Sequence, residues 1–184
     1  MALPWGAGAI CCRSCLPCEK TEIEMLIRPA VPDDHDAIRA LLTGAFPDPS
    51  EARLVDDLRA AGDLIAEIVA EDAGTIVGHV AFSRHPEPEG WVCLAPLAVA
   101  EPARRQGVGG ALVRDGLDRM RQAGIAAVTV LGDAAFYQRF GFTRAAAGNL
   151  DTPYPPEHML VYPIAAGVSG TQARLVWPAA FDAV

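Results

Sequence analysis

The run Arg104-Arg105-Gln106-Gly107-Val108-Gly109-Gly110-Ala111 gathers two guanidinium groups and three glycines immediately before an apolar-periodic segment. The chemistry available there is anion capture. The first N–H groups of a helix have no internal partner and point outward, and the helix dipole adds partial positive charge at the same end. Gly107, Gly109 and Gly110 carry no side chain that would hold a phosphate away from this backbone, and Arg104 and Arg105 add formal charge. A diphosphate matches such a turn. No Gly-Lys-Ser/Thr follows, so it is not a P-loop, and no acidic ribose partner ends a following strand as a dinucleotide fingerprint needs. Taken alone, the glycines serve equally well to pack a helix start tightly.

Positioning that turn requires a strand before it and a helix after it. Trp91–Val99 reads as the strand and Val108–Ala123 as the helix, ended by Gly124. Upstream, Leu26–Arg28 is a short strand. Pro32 to Gly44 is a helix capped by Asp33 or Asp34, and Pro49–Ala61 is a second helix. Leu64–Glu71 and Thr75–Arg84 flank Asp72-Ala73-Gly74 as an antiparallel hairpin. Downstream, Ala126–Leu131 is a β-branched strand and Ala134–Phe140 a short helix. Phe142–Arg144 and His158–Ile164 complete the sheet. Hairpins followed by a β-α-β crossover make an α/β chain, with α+β character, around a mixed sheet.

Composition bounds the rest. The 184 residues suit one domain with small appendages, and 51% hydrophobic content with a mean hydropathy of +0.20 excludes a disordered chain. No apolar run spans a bilayer. The net charge of −8 argues against an undirected grip on nucleic acid or an anionic membrane. That acidity is concentrated: residues 25–100 carry −8, against −1 before them and +1 after. The skew to 14 Arg and a single Lys fits coding bias in a GC-rich genome. Cys11, Cys12, Cys15 and Cys18 cluster near the start, while Cys93 stands alone. Thiolates at that spacing could hold a soft metal, but no second Cys or His pair follows at zinc-site distance. The favoured reading makes residues 1–24 a tail or an upstream translated extension, with Met25 as the natural start.

Two linked motifs carry a family resemblance. Arg104-Arg105-Gln106-Gly107-Val108-Gly109 matches Arg/Gln-x-x-Gly-x-Gly/Ala, and Phe136-Tyr137-Gln138-Arg139-Phe140-Gly141-Phe142 places a Tyr shortly before Gly-Phe. Both resemble signatures of the GNAT superfamily of acetyl-CoA-dependent N-acetyltransferases. Leu131 to Tyr137 and Pro156 to Met159 look like its YhbS-like, bacterial-type branch. The resemblance covers roughly residues 25–164 and implies a single domain there; the extension that follows, 165–184, carries apolar Leu175, Val176, Trp177 and Phe181 and is expected to pack on the domain or on a dimer partner. The resemblance also implies a mostly antiparallel, twisted sheet flanked by helices and splayed at the cofactor. Backbone groups of Leu97, Ala98 and Val99 would then pair with the pantetheine arm. Arg104 and the amides of Arg105, Gln106, Gly107, Val108, Gly109, Gly110 and Ala111 would hold the diphosphate. Asp133, Phe136, Tyr137 and Arg139 would border the thioester and the far end of acetyl-CoA.

Acetyl transfer to an amine needs a neutral amine, a polarised carbonyl and a protonated leaving thiolate. Deprotonating an ordinary alkyl ammonium at pH 7 costs about 4.6 kcal/mol. By resemblance, Tyr137 is the expected general acid. The strand Trp91–Val99 holds no Asp, Glu or His, so His79 on the preceding strand is the nearest base by type, with His85 and Glu71 behind it. Cys93 lacks a thiolate-stabilising neighbour in sequence and reads as a buried strand residue. The expected setting is the cytoplasm. The expected partners are a small-molecule or peptide amine, with no nucleic acid, membrane or required metal, on a monomer or homodimer.

Overall fold

The computed structural model describes residues 25–183. The cluster Cys11–Cys18, with its metal-site and tail readings, lies outside them. β1 (Leu26–Pro29) leads into α1 (His35–Ala45) and α2 (Ser50–Ala61). β2 (Leu64–Asp72), β3 (Thr75–Arg84) and β4 (Trp91–Val99) follow. α3 (Val108–Gln122), β5 (Ala127–Leu131) and α4 (Ala134–Tyr137) come next. β6 (Leu150–Asp151), β7 (Met159–Pro163) and β8 (Ala173–Arg174) end the chain's strands. The main sheet runs β1-β2-β3-β4-β5-β7, antiparallel throughout except for β4 beside β5. β6 and β8 form a separate parallel pair.

The alternation of side chains along β3 and β4 divides the core. Val80, Phe82, Val92 and Leu94 face α3, where Leu112, Val113, Leu117 and Met120 cover them. Ala81 and Ala98 face the other way, under Ile38, Leu42 and Val55 of α1 and α2. α3 approaches the sheet so closely that a Cβ on Gly116 would overlap the Phe82 ring.

The sheet opens at one place. On β3 the step from Val80 to Phe82 faces the longer step from Leu97 to Leu94 on β4. The extra residue makes a bulge around Ala95 and Pro96, and Pro96 has no N–H to give a ladder. On the opposite edge, β4 pairs with β5 only through Trp91, Val92 and Cys93. Beyond Cys93 the two strands separate, and among the described residues no strand pairs with the Leu94–Val99 half of β4 on that side.

Two local expectations fail. Phe142–Arg144 is not a strand: Thr143 makes one isolated bridge to Val161, and Ala145–Ala147 turns immediately. Thr143 Oγ1 accepts the Ala145 N–H at 3.0 Å, so the side chain turns the backbone out of the ladder. Asp34 does not cap α1 through its side chain; its carboxylate accepts Val31 N–H at 2.8 Å and pairs with Arg28. After β7 the chain returns across the domain. Leu175 N–H donates to Asp151 O and Val176 N–H to Glu87 O. Phe181 packs on Leu54, Leu58 and Cys93. Among the described residues no helix is long and apolar enough to cross a membrane.

Candidate active site

The opening of the sheet leads into a cleft of about 580 Å³. Leu97 and Val99 of β4 form one wall, and Phe136, Arg139 and Phe140 form another. Its floor is the turn and first residues of α3: Arg104, Arg105, Gly107, Val108, Gly109 and Gly110. Gly107 takes φ +89°, which a side chain would resist, and Arg105 takes φ +63° beside it. Ala111 N–H makes the first intrahelical bond, to Gly107 O at 3.0 Å. The amides of Gly107 through Gly110 precede that bond, and they are the ones a helix leaves without internal partners.

Not every residue singled out from the sequence reaches this cleft. The Ala111 amide is already used inside the helix, which shortens the expected set of anion-binding amides by one. Gln106 turns its amide onto Pro102 O at 2.7 Å. Arg104 lines the cleft, but its guanidinium donates to Val99 O at 3.0 Å and reaches Ala45 O, bracing the turn against β4 and α1. The Ala98 side chain is buried on the opposite face. Asp133 is exposed and caps α4, its carboxylate accepting Ala135 N–H at 2.9 Å. Sequence reasoning missed Ala103, Arg114 and Phe140, which all line the cleft. Arg114 stands four residues after Gly110, a helical spacing that puts both on one face and could have drawn notice. All four arginines of the cleft lack a carboxylate partner among the described residues, and no Asp or Glu lines it.

Tyr137 ends α4, is buried, and stands behind Phe136 rather than among the residues that line the cleft. Its ring packs edge-on against Phe136 and Phe142, with centroids 4.9 and 5.5 Å away. A Cβ on Gly132 would stand 2.7 Å from that ring, so glycine there lets Tyr137 fold back over the end of β5. Burial, with Cys93 nearby, holds the phenol above its ordinary range. A phenol is un-ionised at physiological pH even at its ordinary pKa, and the shift keeps it so, leaving a proton to give and no phenolate to act as a base. Cys93 is 1% exposed and burial pushes its thiol up to about 12, so no thiolate nucleophile is available there.

The three base candidates are all engaged elsewhere. His79 is fully buried on the α1/α2 face, with Nε2 3.0 Å from Glu67, and does not line the cleft. Desolvation opposes ionisation of Glu67, yet hydrogen bonds from His79 and Arg59 outweigh it and hold the carboxyl below its usual range. His85 is 3% exposed, and burial lowers its pKa to about 4. Its Nδ1–H donates to Val176 O at 3.0 Å, which leaves Nε2 to accept the Thr129 hydroxyl at 2.7 Å. Glu71 pairs with Arg28 at 2.7 Å.

A sheet splayed beside a glycine-led helix, with Phe136, Arg139 and Phe140 across the cleft, is the architecture of an acyltransferase, and residues 35–142 match the acetyltransferase (GNAT) family. The chain belongs to that family and is an N-acetyltransferase of it. It is 47% identical over 135 residues to the N-acetyltransferase YhbS of Escherichia coli K12, covering 71% of this chain and 81% of that one. It is 36% identical over 136 residues to YjhQ of the same organism, covering 68% and 75%. The crystal structure of E. coli YhbS in complex with CoA superposes with a TM-score of 0.81 at 40% identity, covering 86% of this chain and 92% of that one. A GNAT acetyltransferase from Brucella melitensis in complex with acetyl-CoA gives 0.75 at 32% identity, covering 87% and 99%.

Proposed function

We propose that the protein transfers the acetyl group of acetyl-CoA to a primary amine by direct attack. The observation that carries this is the cleft itself: an open strand edge continuous with a helix start and four arginines with no acid beside them among the described residues, in a chain of net charge −8. The residues present fit the co-substrate. The free edge of β4 at Leu97–Val99 offers backbone pairing to the pantetheine arm, as an added strand would. The amides of Gly107 through Gly110 and the Arg105 side chain receive the diphosphate. A β4 amide at Leu97 or Val99 stabilises the carbonyl oxygen as it gains charge. The amine nitrogen bonds to the carbonyl carbon, the C–S bond breaks, and Tyr137 gives its proton to the departing sulfur. The proton lost by the amine leaves to water, and a proton from water restores the Tyr137 phenol, since His79, His85 and Glu71 are all held in internal pairs.

The acidity of residues 25–100 favours a cationic amine as acceptor, drawn in by long-range attraction. The same internal pairing of every candidate base supports a second reading, a CoA-binding module with little turnover. Calorimetry with acetyl-CoA followed by thiol release over a panel of amines separates them. Binding with CoA release on one amine class supports the transferase. Binding without release from any amine supports the module, and no binding of acetyl-CoA sinks both.

A further inference from the structure

Transfer to an amine needs an acceptor side as well as a co-substrate side, and the face of the sheet turned away from α3 supplies one. Cys93 is the last residue of β4 to pair with β5, so it marks the point where the cleft begins. Its side chain lies away from α3, among Leu54, Leu58 and Phe181, with Leu64 and Trp177 packed on the same cluster. Ser83 stands opposite Cys93 and Leu64 in the ladder, about 5 Å across the strands, and turns to the same face. His85, two residues on, packs edge-on to Trp177 with ring centres 4.8 Å apart. Tyr154 meets Trp177 edge-on at 4.8 Å as well.

Two donors in this layer have nothing to bond among the described residues. Ser83 is fully buried and its hydroxyl lacks a partner. The Trp177 Nε1–H is buried and unpartnered as well. An unmet buried donor is costly and rare enough to call for an explanation. An indole N–H can only donate, so the group that satisfies it is an acceptor oxygen. That oxygen is uncharged, because the side chains around it are apolar and burial lowers the His85 pKa to about 4, leaving a carboxylate there without a counter-ion. The way in runs past Trp177 and Tyr154, whose rings are partly exposed. Past Val176 no backbone hydrogen bond among the described residues ties the segment to another element, so Trp177 is held by packing and can turn to admit a ligand.

The nitrogen narrows the class further. It must be neutral to attack, and His79, His85 and Glu71 are engaged in internal pairs. An alkyl amine of pKa about 10.4 is neutral in about one molecule in 2,500 at pH 7, whereas a peptide-type α-amine of pKa about 7.7–8.0 is neutral in about one in ten. An amine beside an amide carbonyl thus brings both the missing oxygen and a nitrogen that needs no base.

We propose that the acceptor is an α-amino amide with an apolar side chain, the chemistry of a peptide N-terminus, whose carbonyl oxygen accepts the Ser83 hydroxyl and the Trp177 indole N–H while its side chain lies against Trp177 and Tyr154. This rests on the transferase reading above and names its substrate class; the bonds made and broken, and the fate of each proton, are as given there. CoA release from acetyl-CoA by the full chain is measured with leucinamide, leucine and isoamylamine, which share one side chain and differ in the carbonyl group, and with spermidine. Leucinamide gives a kcat/KM at least about tenfold above each of the others. Ser83→Ala, and separately Trp177→Phe, lowers the leucinamide-over-isoamylamine ratio about tenfold, mainly through KM, the scale of one lost hydrogen bond. Ser83→Ala melts no lower than wild type, because the hydroxyl has no partner to lose in the free protein. Leu-Ala-Ala used at a lower KM than leucinamide marks a peptide as the source, and the reverse order marks a small amide; either supports the site. Leucinamide no better than isoamylamine, or a ratio unmoved in both folded variants, overturns the assignment while release with another amine keeps the transferase. A Ser83→Ala protein that melts lower and loses equally on every amine shows a structural hydroxyl and overturns it too. Release with no amine at all removes the transferase reading itself.

Discussion

At the scale of single residues, burial sets the chemistry. Tyr137 is un-ionised at neutral pH even at the ordinary pKa of a phenol, and burial raises that pKa further, so it has a proton to give and no phenolate to act as a base. Replacing it with Phe removes one oxygen and preserves the packing against Phe136 and Phe142. The expected outcome is a fall in kcat of about a hundredfold or more, with the calorimetric Kd for acetyl-CoA near wild type. An unchanged kcat removes the acid role. His85 makes a second prediction. Its pKa falls from 6.5 to about 4 on folding because burial opposes the charged ring. Between these values the unfolded chain binds the proton and the folded chain does not. The stability His85 contributes is therefore complete above about pH 6.5 and drains away as pH falls towards 4, by on the order of 3 kcal/mol. Urea melts across that range should show the slope, and His85→Gln should flatten it.

At the scale of elements, the site depends on how closely α3 lies on the sheet and how its first turn is wound. Gly116→Ala forces a methyl group into the Phe82 ring and should cost about 1–3 kcal/mol in a denaturant melt. Gly107 is different, because a Cβ there meets nothing within 4 Å and the constraint is its φ of +89° alone. Gly107→Val is expected to rewind the turn and weaken CoA binding about tenfold or more, with a smaller loss of stability. A variant that binds CoA like wild type would mean that the turn's backbone does not hold the diphosphate. The bulge in β4 acts at the same scale: one extra residue and one missing N–H decide where the sheet stops being continuous.

At the scale of the molecule, the cleft and the returning C-terminal segment belong to one packed body. Phe181 is 8% exposed and covers Leu54, Leu58 and Cys93. Phe181→Ala should lower the unfolding free energy by about 3–5 kcal/mol in a single cooperative transition, as for a buried aromatic. A small separate transition, with the main melt unmoved, would show that the segment is only laid on the surface. CoA at about a hundred times its Kd should raise the unfolding free energy by about 2.7 kcal/mol, seen as an increase in Tm that grows with ligand concentration.

Much of this molecule could be read before folding it, wherever the cause was local. The strand before Gly107, the helix after it, the β2–β3 hairpin and the Tyr137 segment follow from period, caps and turns, which act over a few residues. So do the unpartnered amides ahead of Ala111, since a helix start makes its own donors. Phe142–Arg144 has strand-like residues but is not a strand, because a single Thr143 hydroxyl turns the chain. Other properties depend on partners far along the chain. His79 meets Glu67 12 residues back, and His85 meets Val176 91 residues on, so neither is left as a base in the cleft. Arg114 and Phe140 join the cleft only because α3 and α4 converge where β4 leaves β5. Residue type and spacing state what each group can do. Which group is desolvated, paired or left facing the cleft is set by long-range packing, because burial and Coulomb interactions depend on distance in space and not on distance in sequence.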